Sequence, residues 1–205
     1  IFGPGNQYVS TAKALLQSEV AIDMPAGPSE LLIVVDENAD VSWIAADMLS
    51  QLEHGADSQS VLVTFSNEFA QKVKDAMLKQ SSKLSRKELI NKSFEKSFIV
   101  VVENIAQVVA LVDAYAPEHL EIVTRDPAKI LAQVSNFGSA FLGRYSCESL
   151  GDYATGSNHT LPTSGFAKMF PPLAIESFGK MVQIQSVSKK GFDRLADTVE
   201  RLAAM

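Results

Sequence analysis

The sequence predicts an α/β fold: a three-layer α/β/α sandwich with a mostly parallel sheet, plus a C-terminal strand/helix tail. Three observations lead there. Short apolar runs lack the alternation of a half-exposed strand, so they suit a sheet covered on both faces. Amphipathic helical patterns lie between the runs. The two kinds of segment alternate along the chain, which is the order that builds parallel sheets.

The strand candidates are Glu30–Val35 (ELLIVV), Val61–Phe65 (VLVTF) and Phe98–Val102 (FIVVV), followed by the shorter Leu120–Val123 and Ser139–Leu142. The first helix of the alternation, Val41–Glu53, follows Asp40, a suitable N-cap. Asn67–Gln80 opens after Ser66 and sets Phe69, Val73, Ala76 and Met77 on one stripe. Asn104–Tyr115 repeats the pattern with Ile105, Val108, Val109 and Val112. Pro127–Asn136 starts with Asp126 as cap and Pro127 in the first helical position. Beyond Pro172, Ala174–Phe178 reads as a short helix and Val182–Val187 as a strand. Ser188–Met205 reads as a helix with Phe192, Leu195, Ala196, Val199 and Leu202 along one face.

The 205 residues suffice for one large domain, or one domain with appendages. Hydrophobic residues make up 46% and charged residues 20%, the balance of a folded globular chain. A net charge of -6 without a Lys/Arg cluster disfavours a nucleic-acid partner. The basic residues of Lys72–Lys96 read as a solvated helical face. With one cysteine, Cys147, no intrachain disulfide can form, and a reducing, cytoplasmic compartment fits. As a nucleophile Cys147 lacks a base partner nearby in sequence. No run approaches the ~18 apolar residues of a membrane span, and no signal peptide opens the chain. The start IFGPGN, without Met, reads as the middle of a longer protein.

Three histidines, His54, His119 and His159, sit in polar, turn-containing segments. Gln51 and His54 are three apart at a helix end, so they share a face and can reach one point. An imidazole and a Gln oxygen there could hold zinc; equally, His54 could only complement the helix dipole. Glu118 and His119 follow Pro117, which ends a helix. A carboxylate and an imidazole at such a turn could each take a proton in a different step, or form a plain surface pair. Asp152, in a loop bracketed by Gly151 and Gly156, could complete a metal site or hold an Asx-turn. His159 suits a supporting place behind the ligands. Ser29, in the turn GPSE, could donate to a substrate or cap the turn, and GPGN at 3–6 is a weak phosphate-loop signal.

In order, these segments resemble the histidinol dehydrogenase family. The matching stretches are IFGPGNQYVSTAK, AIDMPAGPSELLIV, AADMLSQLEHGADSQ, YAPEHLEI and LGDYATGSNHTLPTSG, running from Ile1 to Gly165. The resemblance implies NAD-dependent oxidation of L-histidinol to L-histidine through L-histidinaldehyde, the last steps of histidine biosynthesis, with zinc. It implies Gln51, His54 and Asp152 as zinc ligands that also contact substrate, as Ser29 and His119 do. It implies His119 as the base that removes the alcohol proton, Glu118 as the group that activates water, and Asn6 as an NAD contact. It further implies a homodimer whose C-terminal tail reaches the neighbour's site and brings a fourth, histidine ligand. That ligand falls beyond Met205, and most of the NAD-binding domain precedes Ile1. The implied division is 1–29 as the end of the NAD-binding domain, 30–172 as the catalytic domain and 173–205 as a tail able to act as a dimer arm. The 205-residue piece is accordingly expected to be inactive alone. The departures are a short stretch between Lys13 and Ala21, Cys147 where Pro is expected, and the text FAKMFPPLAIESF. Two other readings stand beside this one: a zinc hydrolase using Gln51, His54, Asp152 and Glu118, and a non-catalytic module of the same fold.

Overall fold

The apolar run Glu30–Val35 forms β1, the central strand, with Leu31 to Val35 wholly buried. It pairs in parallel with β2 (Gln59–Thr64) on one side and β4 (His119–Val123) on the other. Strands β3 (Phe98–Val101) and β5 (Ser139–Leu142) complete a five-stranded, wholly parallel sheet of order β3-β2-β1-β4-β5. This computed structural model describes residues 1–3 and 5–205, the Gln7 side chain excepted, so Pro4 of the glycine-rich turn lies outside the described residues.

Side chains alternate across a strand, and here both faces are covered. Leu31, Ile33 and Val35 pack with Ile44, Met48 and Leu52 of α2 (Val41–Leu52), Phe69, Val73 and Met77 of α3 (Asn67–Ser81) and Ile90 of α4 (Lys87–Phe94). Leu32 and Val34 pack with Val108 and Val112 of α5 (Ile105–Tyr115) and Ile130 of α6 (Pro127–Leu131). The α/β/α sandwich is therefore three-layered as expected. Each such buried side chain contributes about 1.5–3 kcal/mol relative to exposure. The basic residues of Lys72–Lys96 are exposed, as expected of a solvated helical face, and are spread over α3, α4 and the turns beside them, with the apolar sides of both helices buried.

The caps anticipated from sequence form. Asp40 accepts from the Ser42 and Trp43 amides at 2.8 and 3.2 Å and Ser66 from Phe69 at 3.2 Å, while Asn104, expected inside its helix, is instead the cap, accepting from Gln107 at 3.1 Å. Helix α6 stops at Leu131, short of the expected Asn136, because the Asp113 carboxylate takes the amides of Ser135 and Asn136 at 2.7 and 3.0 Å. Asp152, expected in a loop, lies in helix α7 (Glu148–Tyr153). Gly151 serves packing there, since a Cβ would collide with the Phe141 ring.

The chain divides into two compact units, Ile1–Ala174 and Ile175–Met205. The first unit also contains α1 (Gln7–Leu16). The second holds a 3₁₀ turn at Ile175–Phe178 and the helix α8 (Lys189–Ala203). The strand expected at 182–187 does not form. Those residues find no neighbouring strand to satisfy their backbone groups. In α8, Phe192, Leu195, Val199 and Leu202 are all exposed. Among the described residues no helix is long and apolar enough to cross a membrane.

Candidate active site

The candidate residues gather at the amino edge of the sheet. Helix α5 ends at Ala116, whose left-handed backbone (φ 54°) turns the chain into Pro117. Glu118 and His119 follow at the start of β4, one strand away from Ser29 and Glu30 at the start of β1. Glu118 is buried, and its Oε2 accepts from the Ser29 hydroxyl at 2.7 Å and the Glu30 amide at 2.9 Å. His119 Nδ1 lies 3.1 Å from the Glu30 carbonyl. A carbonyl only accepts, so Nδ1 carries the hydrogen and Nε2 keeps its lone pair. Nε2 is buried without a hydrogen-bond partner, 3.8 Å from Asp152 Oδ1. The sequence-predicted Ser29, Glu118, His119 and Asp152 thus meet.

Gln51 occupies the last turn of α2 and His54 the turn after it, so the pair leads toward the amino end of β2. Gln51 is fully buried and both its amide atoms lack partners. Such a group costs about 1–3 kcal/mol if left unsatisfied, so it fits a position that a ligand completes. His54 is exposed, and one ligand atom each from His54, Glu148 and Asp152 lie within 4.8 Å of one another. Both Glu148 carboxyl oxygens are buried and unpartnered. Imidazole, carboxylate and amide oxygen form a donor set that suits zinc. Among the described residues His54, Glu148 and Asp152 stand close enough to hold a metal ion together, and Gln51 is the further ligand expected from the sequence.

The electrostatics agree. Burial pushes the Glu118 carboxyl up to about 7, with Glu30 and Asp152 adding repulsion and the Glu30 amide and Ser29 hydroxyl pulling back. Burial also pushes Glu148 up to about 8, helped by Asp152, Glu118 and Asp47. Glu121, buried in β4, is raised by burial and by Asp47, and accepts from the Glu148 amide at 2.7 Å. Burial lowers His119, against the opposing pull of the Glu30 carbonyl and Asp152, so at neutral pH the imidazole is uncharged and basic. Carboxyls held reluctant to ionise in one cleft are what a bound cation relieves.

Asn6 caps α1, its side-chain oxygen accepting from the Tyr8 and Val9 amides at 3.0 and 3.3 Å. It lines a cleft of about 570 Å³ with Tyr8, Ser29, His54 and Asp57. His159 is exposed on the segment after α7. Cys147 precedes α7 and its sulfur lies 3.5 Å from the Ser149 hydroxyl. Sequence reasoning missed Glu30, Glu121 and Glu148. Two signals were there: Glu148 stands four residues before Asp152, one helical turn away, and Glu121 is the lone charge in the run LEIV.

A family model described as histidinol dehydrogenase matches residues 1–205. Histidinol dehydrogenases of Vibrio vulnificus and Campylobacter jejuni are each 47% identical over 99% of this chain and 48% of their own length. That of Bacteroides fragilis is 45% identical over 100% and 48%. The crystal structure of histidinol dehydrogenase from Elizabethkingia anophelis superimposes with a TM-score of 0.93 at 43% identity, over 100% of this chain and 47% of that one. A mutant propionaldehyde dehydrogenase from Clostridium phytofermentans shares the fold alone, with a TM-score of 0.52 and 16% identity over 87% of this chain and 54% of that one. The chain spans about half the length of the curated relatives it matches. With the family model matched end to end and relatives aligned along nearly every residue, the chain belongs to the histidinol dehydrogenase family.

Proposed function

We propose that this chain carries the acid-base and metal-binding half of an enzyme that oxidises L-histidinol to L-histidine through L-histidinaldehyde. The observation that carries the reading is the buried His119, with a bare Nε2, facing Asp152, which in turn lies within 4.8 Å of ligand atoms of His54 and Glu148. Family membership supplies the substrate class. When bound, zinc would grip the substrate's amine and imidazole, and NAD would accept hydride in each of the two oxidations.

The chain's own residues then have distinct tasks. His119 Nε2 takes the alcohol proton as hydride leaves the carbon, and its Nδ1–H on the Glu30 carbonyl keeps the imidazole in that tautomer. Glu118, whose pKa near 7 suits a base at neutral pH, takes a proton from water as it adds to the aldehyde. Ser29 orients Glu118 through its hydroxyl and contacts the substrate. Asn6 contacts NAD along the 570 Å³ cleft. The boundaries 1–29, 30–172 and 173–205, a homodimer with the tail as its arm, and a cytoplasmic setting belong to the same proposal.

The test is NADH formation from L-histidinol, followed by absorbance, on protein extended to its relatives' full length. Wild type should form two NADH per histidinol. Glu118→Gln should stall after the first hydride transfer, giving one NADH and captured aldehyde. The 205-residue chain alone should give none. NAD-independent hydrolysis of an ester or amide by the extended protein, without histidinol oxidation, would replace this reading with a hydrolase.

A further inference from the structure

The Glu30 carbonyl holds the His119 tautomer, but the Glu30 side chain is assigned no part in that reaction, although the residue touches both central residues. Its amide donates to Glu118 at 2.9 Å and its carbonyl faces His119 Nδ1 at 3.1 Å. Its carboxylate Oε1 accepts from the Ser164 amide at 3.0 Å, while Oε2 is buried without a partner. Ser164 holds a left-handed backbone (φ 56°), a conformation that a non-glycine residue keeps only when its surroundings impose it. Next to it, the buried Thr163 hydroxyl accepts from the Gly27 amide. A Cβ on Gly27 would come within 2.7 Å of the Ser164 hydroxyl, so the two turns pack as closely as glycine permits.

We propose that Glu30 is the positioning residue of the Glu118–His119 pair: its main chain fixes both side chains, and its carboxylate latches the 163–165 turn onto the 27–29 turn and sets a like charge beside Glu118. This rests on the reading of Glu118 and His119 given above. The groups around the Glu30 carboxyl are Glu118, just before β4, Tyr115 from α5 and the Ser164 amide; Asp152 from α7 also acts on Glu118. Burial pushes Glu30 up to about 7, with the Ser164 and Glu118 amides pulling back. Glu30 is in turn among the neighbours that push Glu118 up.

The experiment compares Glu30→Gln and Glu30→Ala with wild type in the full-length protein. Carbon-13 NMR follows the Glu118 carboxyl through its titration, and hydrogen exchange follows the Ser164 amide. Neither readout requires turnover, so they judge Glu30 even if the protein does not oxidise histidinol. Both variants remove the like charge, so the Glu118 midpoint should fall by about one pH unit. Where histidinol is oxidised, the acid limb of the rate profile should move down with it. Only Glu30→Ala also loses the acceptor, so only there should the Ser164 amide exchange several-fold faster. In that variant kcat should drop by up to ~10²-fold through misplacement while KM changes little, and Gln should restore most of it. An unchanged Glu118 midpoint in Glu30→Gln, or Ser164 exchange equal in all three proteins, would overturn the proposal.

Discussion

The two edges of the sheet differ in the kind of polar group they leave unpartnered. At the carboxyl edge, where open α/β sheets usually place ligands, the crevice between β1 and β4 is closed. Asp36 takes the Arg125 and Asn38 amides at 2.7 and 3.0 Å, and its own amide reaches the Val123 carbonyl at 3.4 Å. At the amino edge, Gln51, Glu148 and His119 Nε2 are buried with nothing to bond, and the nearby carboxyls are pushed up. The carboxyl edge thus ties up its Asp36 carboxylate and leaves the Thr64 and Thr124 hydroxyls unpartnered, whereas the amino edge leaves an amide, an imidazole nitrogen and carboxylate oxygens unpartnered. Unpartnered amide, imidazole and carboxylate groups, rather than lone hydroxyls, mark the end where a ligand enters.

That contrast can be broken or sharpened by experiment. The largest effect is expected from His119→Gln, which should slow histidinol oxidation by ~10²–10⁴-fold, the worth of a general base, with zinc binding retained in calorimetry. Gln51→Leu removes a buried amide with no protein partner. It should weaken zinc by at least ~10–100-fold and yet leave the metal-free protein as stable as wild type, or more so, in denaturant titration.

Stability against pH follows from the raised carboxyls. The folded values of Glu30 and Glu118 near 7 and of Glu148 near 8 lie above their ordinary values. Their contribution is therefore fully present below about pH 4.5, the ordinary glutamate range, and lost as pH rises through 7 to 8. Metal-free protein should melt at lower temperature at pH 8 than at pH 6, and zinc should narrow the difference. The smallest effect is expected at the closed edge: Asp36→Asn should cost about 1 kcal/mol by denaturant titration and leave zinc affinity unmoved.

Much of this was legible in the sequence where the physics is local. ELLIVV and SAFL mark β1 and β5 to the residue because unalternating apolar runs have few alternatives. The caps Asp40, Ser66 and Asp126 read correctly because a short polar side chain before an apolar stripe has one good use. Tertiary effects were not legible. Strand β2 begins at Gln59 rather than Val61, since Gln59 and Ser60 pair with Glu30 and Leu31. Asp152 was hidden in a supposed loop because Gly151 suggests a turn, when its missing Cβ makes room for Phe141. Val182–Val187 has strand composition without a strand to pair with. Glu121 and Glu148 acquire meaning only from burial beside Asp47 and Asp152.

The most direct measurement is an isothermal titration of the full-length protein with zinc, wild type against His54→Ala and Gln51→Leu. Stoichiometric binding that weakens sharply in both variants is the expected result, and it would tie the unpartnered groups of the amino edge to a metal. Zinc binding of equal strength in all three proteins would contradict it and leave the orphaned Gln51 amide without a ligand.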